Sequence, residues 1–380
     1  MQDRLKCTIM RGGTSRGVFL DGAALPQDIK ARESVILRVF GSPDRRQIDG
    51  LGGADPLTSK LAIIDRPDEE LRETSDLVYT FGQVGIAHAE VDWHSLCGNI
   101  TAAVGVYAIQ EGFVEPRAPV TTVRVYNTNL HRHLLVDVPV SGGAVVSQGD
   151  YAVPGVPGTG ARIDIDFSQT AGAAVGDLLP TGNRVDVLDI EGLGAVEVSL
   201  LDIGNAHVFV RAADVGMKGT ESAAEIDRDP ELLARLELIR GAAAVRLGMT
   251  TGTPVEARDQ SPAVPILGVI SSPADYISAL DGKAVSAADV DVVSRLQFMQ
   301  QTHKTYAGTS TACTGVAARV SGTIVHQMAR PTNGRIFRIG HPAGVIETQA
   351  EVEESGGELI VRRATLGRTA RRILDGTVYL

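Results

Sequence analysis

The chain of 380 residues has few cysteines, few aromatic residues and no surplus of positive charge. Its three cysteines, Cys7, Cys97 and Cys313, are too few and too widely spaced for a disulfide framework, which indicates a reducing compartment. Aromatic residues make up only 4%, so the chain lacks the stacking platforms on which single-stranded nucleic acids bind. The formal net charge of -10 opposes binding to nucleic acids and to anionic membranes.

Long apolar runs and two common nucleotide-binding motifs are also missing. No stretch approaches the roughly 20 apolar residues that a helix needs to cross a bilayer, and the start of the chain, MQDRLKCTIM, lacks the apolar centre of a secretory signal. Neither the dinucleotide fingerprint G-x-G-x-x-G nor the phosphate-binding loop G-x-x-x-x-G-K-[ST] occurs. We therefore expect a cytoplasmic protein that binds neither a membrane nor a nucleic acid.

Short β-branched runs, broken by Gly, Pro, Asn and Asp, make up most of the chain. Their alternating apolar positions, at strand length, predict β-strands. Examples are KLAIID (60–65), TTVRVYN (121–127), HLLVDVPV (133–140), AVEVSLLDIG (195–204) and ELIVRR (358–363). Helical period and length are clearest at 99–111, 229–247, 286–302 and 310–320.

Two of the helical segments belong to an internal repeat. Laid without a gap over Ala307–Gly322 (AGTSTACTGVAARVSG), Cys97–Gly112 (CGNITAAVGVYAIQEG) is identical in seven of sixteen columns. A weaker similarity pairs GGTSRGVFL (12–20) with IGNAHVFVR (203–211). We interpret the repeat as two β-rich domains, each wrapped round one small-residue helix. The alternative is that two Ala/Gly-rich helices are similar by composition alone.

Cys97 begins the first repeat helix, whereas Ala307 holds the matching place in the second. The unpaired N–H groups and positive dipole end of a helix stabilise a thiolate, and a thiol and its thiolate can give and take protons at carbon. Gly98 has no side chain to block a substrate, and Asn99 offers an amide. Cys97 is therefore a candidate catalytic residue, and a packed structural cysteine is the alternative.

Lys60 follows the glycine-rich loop DGLGGADPLTS (49–59) at the start of an apolar strand. Partial burial there would make its amine a usable base, and an ordinary surface lysine is the alternative.

The segment MRGGTSRGVFL (10–20) groups four donors around two glycines, which is typical of a cradle for carboxylates. These donors are Arg11, Thr14, Ser15 and Arg16. A polar hairpin turn without a ligand is the alternative.

Polar residues of the second half are further candidates for substrate binding. They are His303, Lys304, Thr309, Ser310 and Thr311 in THKTYAGTST (302–311), and His341 in RIGHPAGVI (338–346). The alternative is that they only cap helices and close turns. We expect no metal site, because zinc would need further ligands besides the two histidines of HRH (131–133).

Several segments together resemble the PrpF family, over nearly the whole chain and in the family's order. They are RGGTSRGVFL, GLGGADPLTSK, FGQVGIAHAEVDWHSLCGNITAAVG, HKTYAGTSTACTG, RIGHPAG and GRTARRILDGTVYL. The family includes 2-methylaconitate cis-trans isomerase, 3-methylitaconate delta-isomerase and 4-oxalomesaconate isomerase. It shares the fold of the diaminopimelate epimerases.

The resemblance implies an α/β fold of two similar domains, each a β-barrel-like sheet around a central helix, with the active site between them. The expected domains are residues 1–188 with 368–380, and residues 189–367. The family's catalytic lysine falls on Lys60 and its catalytic cysteine on Cys97. Epimerases of this fold use two opposed cysteines, and Ala307 removes the second.

The resemblance further implies an isomerase of an unsaturated tricarboxylate-like acid that works without a cofactor, by an allylic proton shift or a cis-trans isomerisation through a dienolate. Its expected partners are a small di- or tricarboxylate and, as a guess at assembly, a second copy of the chain. Two alternatives stay open. One is a single-cysteine racemase or epimerase, and the other is a non-catalytic accessory protein of an aconitase-like hydratase.

Overall fold

The structure, a computed structural model, describes residues 4–332 and 334–380. The chain divides into two compact units, which we call the first unit (Met1–Ile165 with Gly367–Leu380) and the second unit (Asp166–Leu366). The domains expected from the sequence, residues 1–188 with 368–380 and residues 189–367, stay a prediction.

From Arg4 to Asp166, strands outnumber helices. The elements are β1 (Arg4–Gly12), β2 (Ser15–Asp21), α1 (Ile29–Phe40), β3 (Lys60–Asp65), β4 (Leu77–Val84), β5 (Val91–Asp92), α2 (Gly98–Gln110), β6 (Val120–Asn127), β7 (Arg132–Ser141), β8 (Ala144–Val145), β9 (Tyr151–Ala152), β10 (Thr159–Gly160) and β11 (Ile163–Asp166).

The rest of the chain has the same character. Its elements are β12 (Asp186–Ile190), β13 (Gly194–Ile203), β14 (Asn205–Arg211), α3 (Ala223–Asp227), α4 (Pro230–Arg246), α5 (Ala257–Gln260), β15 (Ile266–Ser271), β16 (Tyr276–Ile277), β17 (Ala284–Val285), β18 (Val292–Phe298), β19 (Gln301–Thr302), α6 (Gly308–Arg319), α7 (Ile324–Met328), β20 (Ile336–His341), β21 (Gly344–Ser355), β22 (Glu358–Arg368) and β23 (Ala370–Tyr379).

The first unit builds its sheet from β1 to β7, with β23 at the far side of β1. Strand β1 is antiparallel to β2 and to β23, and β2 is parallel to β3. Strand β4 is antiparallel to β3 and β5 and parallel to β6, which is antiparallel to β7. Helix α2 is buried from Gly98 to Ile109, as its alanine and glycine content predicts.

The second unit repeats this order of strands. Strand β13 is antiparallel to β14, which is parallel to β15, and β18 is antiparallel to β15 and β19. Strand β20 is then parallel to β18 and antiparallel to β21. Helix α6 is buried from Gly308 to Ala318. The prediction of an α/β fold with two similar parts, each around a small-residue helix, is confirmed.

A second helix covers the outer face of the sheet in each unit. Helix α1 begins at the N-cap Asp28, ends at Gly41 in the left-handed conformation, and packs its apolar side against β2 and β3. Helix α4 has the N-cap Asp229 with Pro230 at its first position, and it packs against β14 and β15. These caps satisfy the backbone N–H groups that a helix N-terminus leaves unpaired.

One predicted element is wrong. The segment 286–302 is not a helix, because Val292–Phe298 forms strand β18, whose residues from Val292 to Gln297 are all buried. A strand that is buried on both faces loses the alternation that identifies a strand, and periodicity alone cannot separate it from a buried helix. The paired β-branched residues Val292 and Val293 were the available signal for a strand.

None of the helices in the described ranges is long and apolar enough to cross a membrane. Across residues 4–332 and 334–380, no three histidine, cysteine, aspartate or glutamate side chains are grouped so that they could hold a metal ion.

Candidate active site

The turn between β1 and β2 lies against the first turn of α2. Gly12 pairs with Ser15 across the hairpin, so that Gly13 and Thr14 form the turn. A Cβ atom on Gly12 would lie 2.1 Å from the backbone oxygen of Asn99, and one on Gly13 would lie 2.2 Å from its Oδ1. Gly13 also has a φ of 49°. The two glycines therefore let the hairpin approach the helix as no larger residue could.

Asn99 joins the hairpin to the helix through its amide. Its Nδ2 donates to Thr14 Oγ1 at 3.0 Å and to Ser15 Oγ at 3.4 Å. Ser15 Oγ in turn lies 4.0 Å from Cys97 Sγ. The structure thus brings four of the predicted residues together, Thr14, Ser15, Cys97 and Asn99, with Gly98 between the last two.

Cys97 is the N-cap residue of α2, and its backbone is extended, with φ -105° and ψ 100°. Its side chain makes no capping hydrogen bond to the helix, so the sulfur is available for other chemistry. Cys97 is partly exposed, whereas Cys7 and Cys313 are buried. Burial raises the pKa of the Cys7 thiol and raises that of Cys313 well above its ordinary value. Of the three thiols, Cys97 is the one suited to react.

Lys60 begins β3 and is only 5% exposed. Its Nζ donates to Gln83 Oε1 at 2.7 Å and lies 5.4 Å from the centre of the Phe81 ring. Gln83 Nε2 donates to the backbone oxygens of Pro56 and Ser59, both at 3.2 Å, which fixes Oε1 as the acceptor for the lysine. The hydrogen-bond acceptor of the buried amine is thus a neutral amide oxygen and not a carboxylate.

The strand register relates Lys60 to Cys97. Lys60 is the neighbour of Gly17 on β2, and a Cβ on Gly17 would lie 3.0 Å from Ile100 Cδ1 of α2. Ser15 is two residues earlier on β2 and therefore on the same face of the sheet. The Lys60 amine and the Cys97 thiol thus lie on the same side of the sheet, the side that α2 covers.

The two predicted arginines lie apart from this group. Arg11 Nη1 donates to the backbone oxygens of Gly13 and Thr369, at 3.0 and 2.9 Å, so it joins the hairpin to the connection between β22 and β23. Arg16 alternates with Ser15 along β2 and so faces away from α2, and its Nη2 would be 2.7 Å from a Cβ on Gly53. In the described part of the chain, no hydrogen bond joins either guanidinium to Lys60 or Cys97.

Thr309, Ser310 and Thr311 form the first turn of α6, as predicted. Asn205 Nδ2 donates to Thr309 Oγ1 at 2.9 Å, and Thr311 Oγ1 donates to the backbone oxygen of Ala307 at 2.8 Å. Ser310 Oγ lies 2.8 Å from His207 Nε2, and His207 Nδ1 lies 2.7 Å from the backbone oxygen of Asn205. Burial lowers the pKa of His207 to about 4. The neutral ring therefore donates from Nδ1 and accepts from Ser310 at Nε2.

The remaining predicted residues lie at separate places in the second unit. Lys304 is exposed in the loop between β19 and α6. His303, in the same loop, accepts from the backbone N–H of Thr305 at 3.1 Å. His341 is buried at the end of β20 and accepts from the backbone N–H of Ala343 at 3.2 Å. Their roles in binding stay predictions.

Sequence reasoning missed three residues that complete these arrangements. Gln83 was a polar residue within an apolar strand, which was a usable signal. His207 belongs to the segment IGNAHVFVR (203–211), which was noted only for its similarity to GGTSRGVFL. Arg368 Nε donates to Asn99 Oδ1 at 2.7 Å, and no local pattern links two residues so far apart in the chain.

The PrpF protein family matches residues 2–380. The chain belongs to the PrpF family. It is 51% identical to the 3-methylitaconate isomerase of Eubacterium barkeri, covering 100% of this chain and 98% of that protein. It is 37% identical to the 2-methyl-aconitate isomerase of Shewanella oneidensis, covering 99% of this chain and 97% of that protein.

Solved structures agree with the fold. A crystal structure of methylitaconate-delta-isomerase matches with a TM-score of 0.85 and 51% identity, covering 99% of this chain and 95% of that one. A hydroxyproline epimerase from Agrobacterium vitis matches with a TM-score of 0.59 at 14% identity, covering 100% and 93%, which shows a shared fold alone. The predictions of a PrpF-family isomerase and of an epimerase-like fold are confirmed.

Proposed function

We propose that this PrpF-family chain isomerises an unsaturated di- or tricarboxylate by moving a proton between two carbon atoms, with Lys60 and Cys97 as the proton carriers. The observation that carries the proposal is the surrounding of Lys60. Its buried amine is held by a neutral amide, on the same sheet face as the Ser15 hydroxyl that touches Cys97.

In the proposed reaction, Lys60 takes a proton from the carbon next to a C=C bond that is conjugated to a carboxylate. The electron pair of the broken C–H bond delocalises into a dienolate, and the amine becomes an ammonium. Cys97 then gives a proton to the carbon two atoms away, and the double bond moves. Return of the proton to the first carbon, after rotation about the loosened bond, gives cis-trans isomerisation instead.

The substrate's negative charge needs donors, because a dienolate is stabilised where fixed N–H and O–H groups point at it. Thr14, Ser15 and the backbone N–H groups of Gly98 and Asn99 are the proposed donors closest to the thiol. Arg11 and Arg16, together with the predicted polar residues of the second unit, stay proposed substrate contacts.

The choice of substrate follows the relatives. A relative named for 3-methylitaconate is 51% identical over the whole chain, against 37% for one named for 2-methyl-aconitate. We therefore expect a branched unsaturated dicarboxylate of the first kind to be turned over faster than a tricarboxylate.

A panel of unsaturated di- and tricarboxylates, incubated with the protein in D2O and followed by proton NMR, tests the proposal. We expect one acid of the panel to show movement of its double bond together with uptake of deuterium. Deuterium uptake at a stereocentre without movement of the double bond would favour a racemase or epimerase. No change in any acid, with a stable stoichiometric partner recovered from cells, would favour an accessory protein.

A further inference from the structure

A buried arginine lies behind the candidate thiol. Arg368 is 1% exposed, and it ends β22 within the first unit. Its Nε donates to Asn99 Oδ1 at 2.7 Å and its Nη1 to the backbone oxygen of Gly367 at 2.9 Å. No carboxylate of residues 4–332 or 334–380 forms an ion pair with it. A buried cation without a carboxylate is costly, so its retention calls for a reason.

The glycine hairpin makes room for this arginine. A Cβ on Gly13 would lie 2.8 Å from Arg368 Cδ, as well as 2.2 Å from Asn99 Oδ1. The first unit thus has a glycine at the point where the arginine and the amide meet. The close approach of hairpin and helix serves the contact between Arg368 and Asn99.

The hydrogen bonds from Arg368 to Asn99 and from Asn99 to Ser15 all run in one direction. A guanidinium can only donate, so Asn99 must present Oδ1 to Arg368 and Nδ2 to the hairpin. Nδ2 then donates to Ser15 Oγ, which leaves the hydroxyl proton of Ser15 for another acceptor. Cys97 Sγ lies 4.0 Å from that oxygen. The neutral thiol donates to this oxygen, whereas a thiolate can only accept, and the Ser15 hydroxyl would then donate to it. Arg368 therefore orients Asn99 and Ser15 so that a hydroxyl proton is at hand for a thiolate.

Tyr79, a second titratable group near the thiol, carries no charge at neutral pH. Burial, and then the nearby Cys97, raise the pKa of Tyr79 well above its ordinary value, so that its hydroxyl stays neutral. Burial lowers the pKa of Arg368 to about 10, against the opposing effects of Tyr151 and Cys97. Arg368 thus keeps its charge at pH 7, and it is a cation that interacts with Cys97.

We propose that Arg368 is a positioning residue for Cys97, which stabilises negative charge on the sulfur both by its own charge and by orienting Asn99 and Ser15. The inference rests on the proposed function only in that Cys97 is taken as a proton carrier. Its consequence for the thiol is measurable without any substrate.

The test is the rate at which iodoacetamide alkylates Cys97 in the folded protein, measured from pH 5 to 10 with the modified site located by mass spectrometry. Cys7 and Cys313 are buried and should react slowly. For Arg368→Gln we expect alkylation at pH 7 to slow about tenfold and the pH profile to move up by about one unit, since the thiolate is the reactive form. Arg368→Lys keeps the charge and should recover most of the rate.

Arg295→Gln is the matched control. Arg295 is likewise 1% exposed, its Nε and Nη1 donate to the backbone oxygens of Glu221 and Ser294, and burial lowers its pKa to about 10. It belongs to the second unit. Arg295→Gln therefore removes a buried arginine of the same kind without removing one near Cys97. The alkylation profile of Cys97 in this variant should stay that of the wild type.

Asn99→Asp decides the case if Arg368→Gln does not fold. The carboxylate has the size of the amide and pairs with Arg368, but it cannot donate to Ser15 and it cancels the cation. We expect folding to be retained and alkylation to slow more than tenfold. Wild-type alkylation profiles in the folded variants would overturn the proposal. Because no substrate is present, a failure of the proposed reaction does not affect this result.

Discussion

The two units of the molecule share one plan and differ at the positions where chemistry is proposed. Gly17, the third residue of β2, is the neighbour of Lys60 on β3, and His207, the third residue of β14, is the neighbour of Ile266 on β15. This structural alignment differs by one residue from the gapless pairing of 12–20 with 203–211. The sequence repeat likewise aligns Cys97 with Ala307. An amine and a thiol in the first unit thus become two apolar side chains in the second.

The side chain between β2 and α2 in the first unit differs from the one between β14 and α6 in the second. Gly17 faces α2 without a side chain, whereas His207 fills the equivalent place and reaches Ser310 of α6. The imidazole is fully buried and stacks on Phe209, with the ring centres 5.7 Å apart. In the first unit, Ile100 of α2 packs against the corresponding position, since its Cδ1 would lie 3.0 Å from a Cβ on Gly17.

The scaffold itself is conserved between the units. Gly105 and Gly315 hold the same column of the repeat, and each lets a helix lie close to a strand. A Cβ on Gly105 would be 2.5 Å from Val136 Cγ1, and one on Gly315 would be 2.6 Å from Thr348 Cγ2. The two units therefore keep the same packing positions and differ at the positions where a reactive side chain is proposed.

Removing the Lys60 amine should have the largest effect on activity. Lys60→Met keeps the length of the side chain but makes this position as apolar as Ile266. We expect kcat to fall about a thousandfold or more, the range for a lost general base, while substrate binding stays measurable. Steady-state kinetics and calorimetric titration of the substrate measure both quantities.

Ile266→Leu is the control in the second unit, and kcat should stay within a few-fold of the wild type. Near-normal kcat in Lys60→Met would mean that the two positions do not differ in function.

The buried histidine of the second unit should make stability depend on pH. Its folded pKa of about 4 lies below the ordinary 6.5, so the unfolded chain binds a proton that the folded chain refuses. Stability is therefore complete above about pH 6.5 and falls as the pH drops towards 4, by about 3 kcal/mol from this group. Urea unfolding at a series of pH values measures the slope.

His207→Gln should lower stability at pH 7 but flatten the slope between pH 4 and 6.5. His94→Gln is the control, because its side chain is 88% exposed. An unchanged slope in His207→Gln would show that this imidazole is not held neutral in the folded protein.

Gln83→Glu is the smallest of the proposed changes, and it alters only the acceptor of the Lys60 amine. The substitution places a carboxylate where the first unit holds a neutral acceptor for Lys60, and an ion pair stabilises the ammonium form. We expect activity at pH 7 to fall about tenfold and to recover as the pH is raised, so that the rising limb of the pH–rate profile moves upward.

Gln47→Glu is the matched control, since Gln47 is also buried but bonds to Ser42, Ala54 and Ser59 instead of an amine. Its profile should keep the wild-type midpoint. If the midpoint of the pH–rate profile did not move in Gln83→Glu, the protonation of Lys60 would not control the rate.

Local pattern was enough to predict much of this arrangement. The repeat placed Cys97 at the start of α2 and Ala307 at the start of α6, and strand alternation placed Lys60 at the start of β3. These features depend on residues close together in sequence. The α/β class and the family followed from the same segments.

Features that depend on register or on distant contacts could not be predicted. Which face of β2 carries Arg16 follows from the pairing in the hairpin, and the partner of Lys60 follows from the pairing of β3 with β4. The contact of Arg368 with Asn99 spans 269 residues. The wrong helix at 286–302 has the same origin, since burial on both faces of β18 is a tertiary property.

The most direct test of the account follows solvent deuterium and the double bond separately, by proton NMR in D2O with the acid that the panel identifies. If Lys60 removes the proton and Cys97 delivers the second one, Cys97→Ala will exchange hydrogen at the first carbon while the double bond moves at least about a hundredfold more slowly than in the wild type. Lys60→Met will lose both exchange and movement. Movement of the double bond at the wild-type rate in Cys97→Ala, or retained exchange in Lys60→Met, would contradict the division of roles within the first unit.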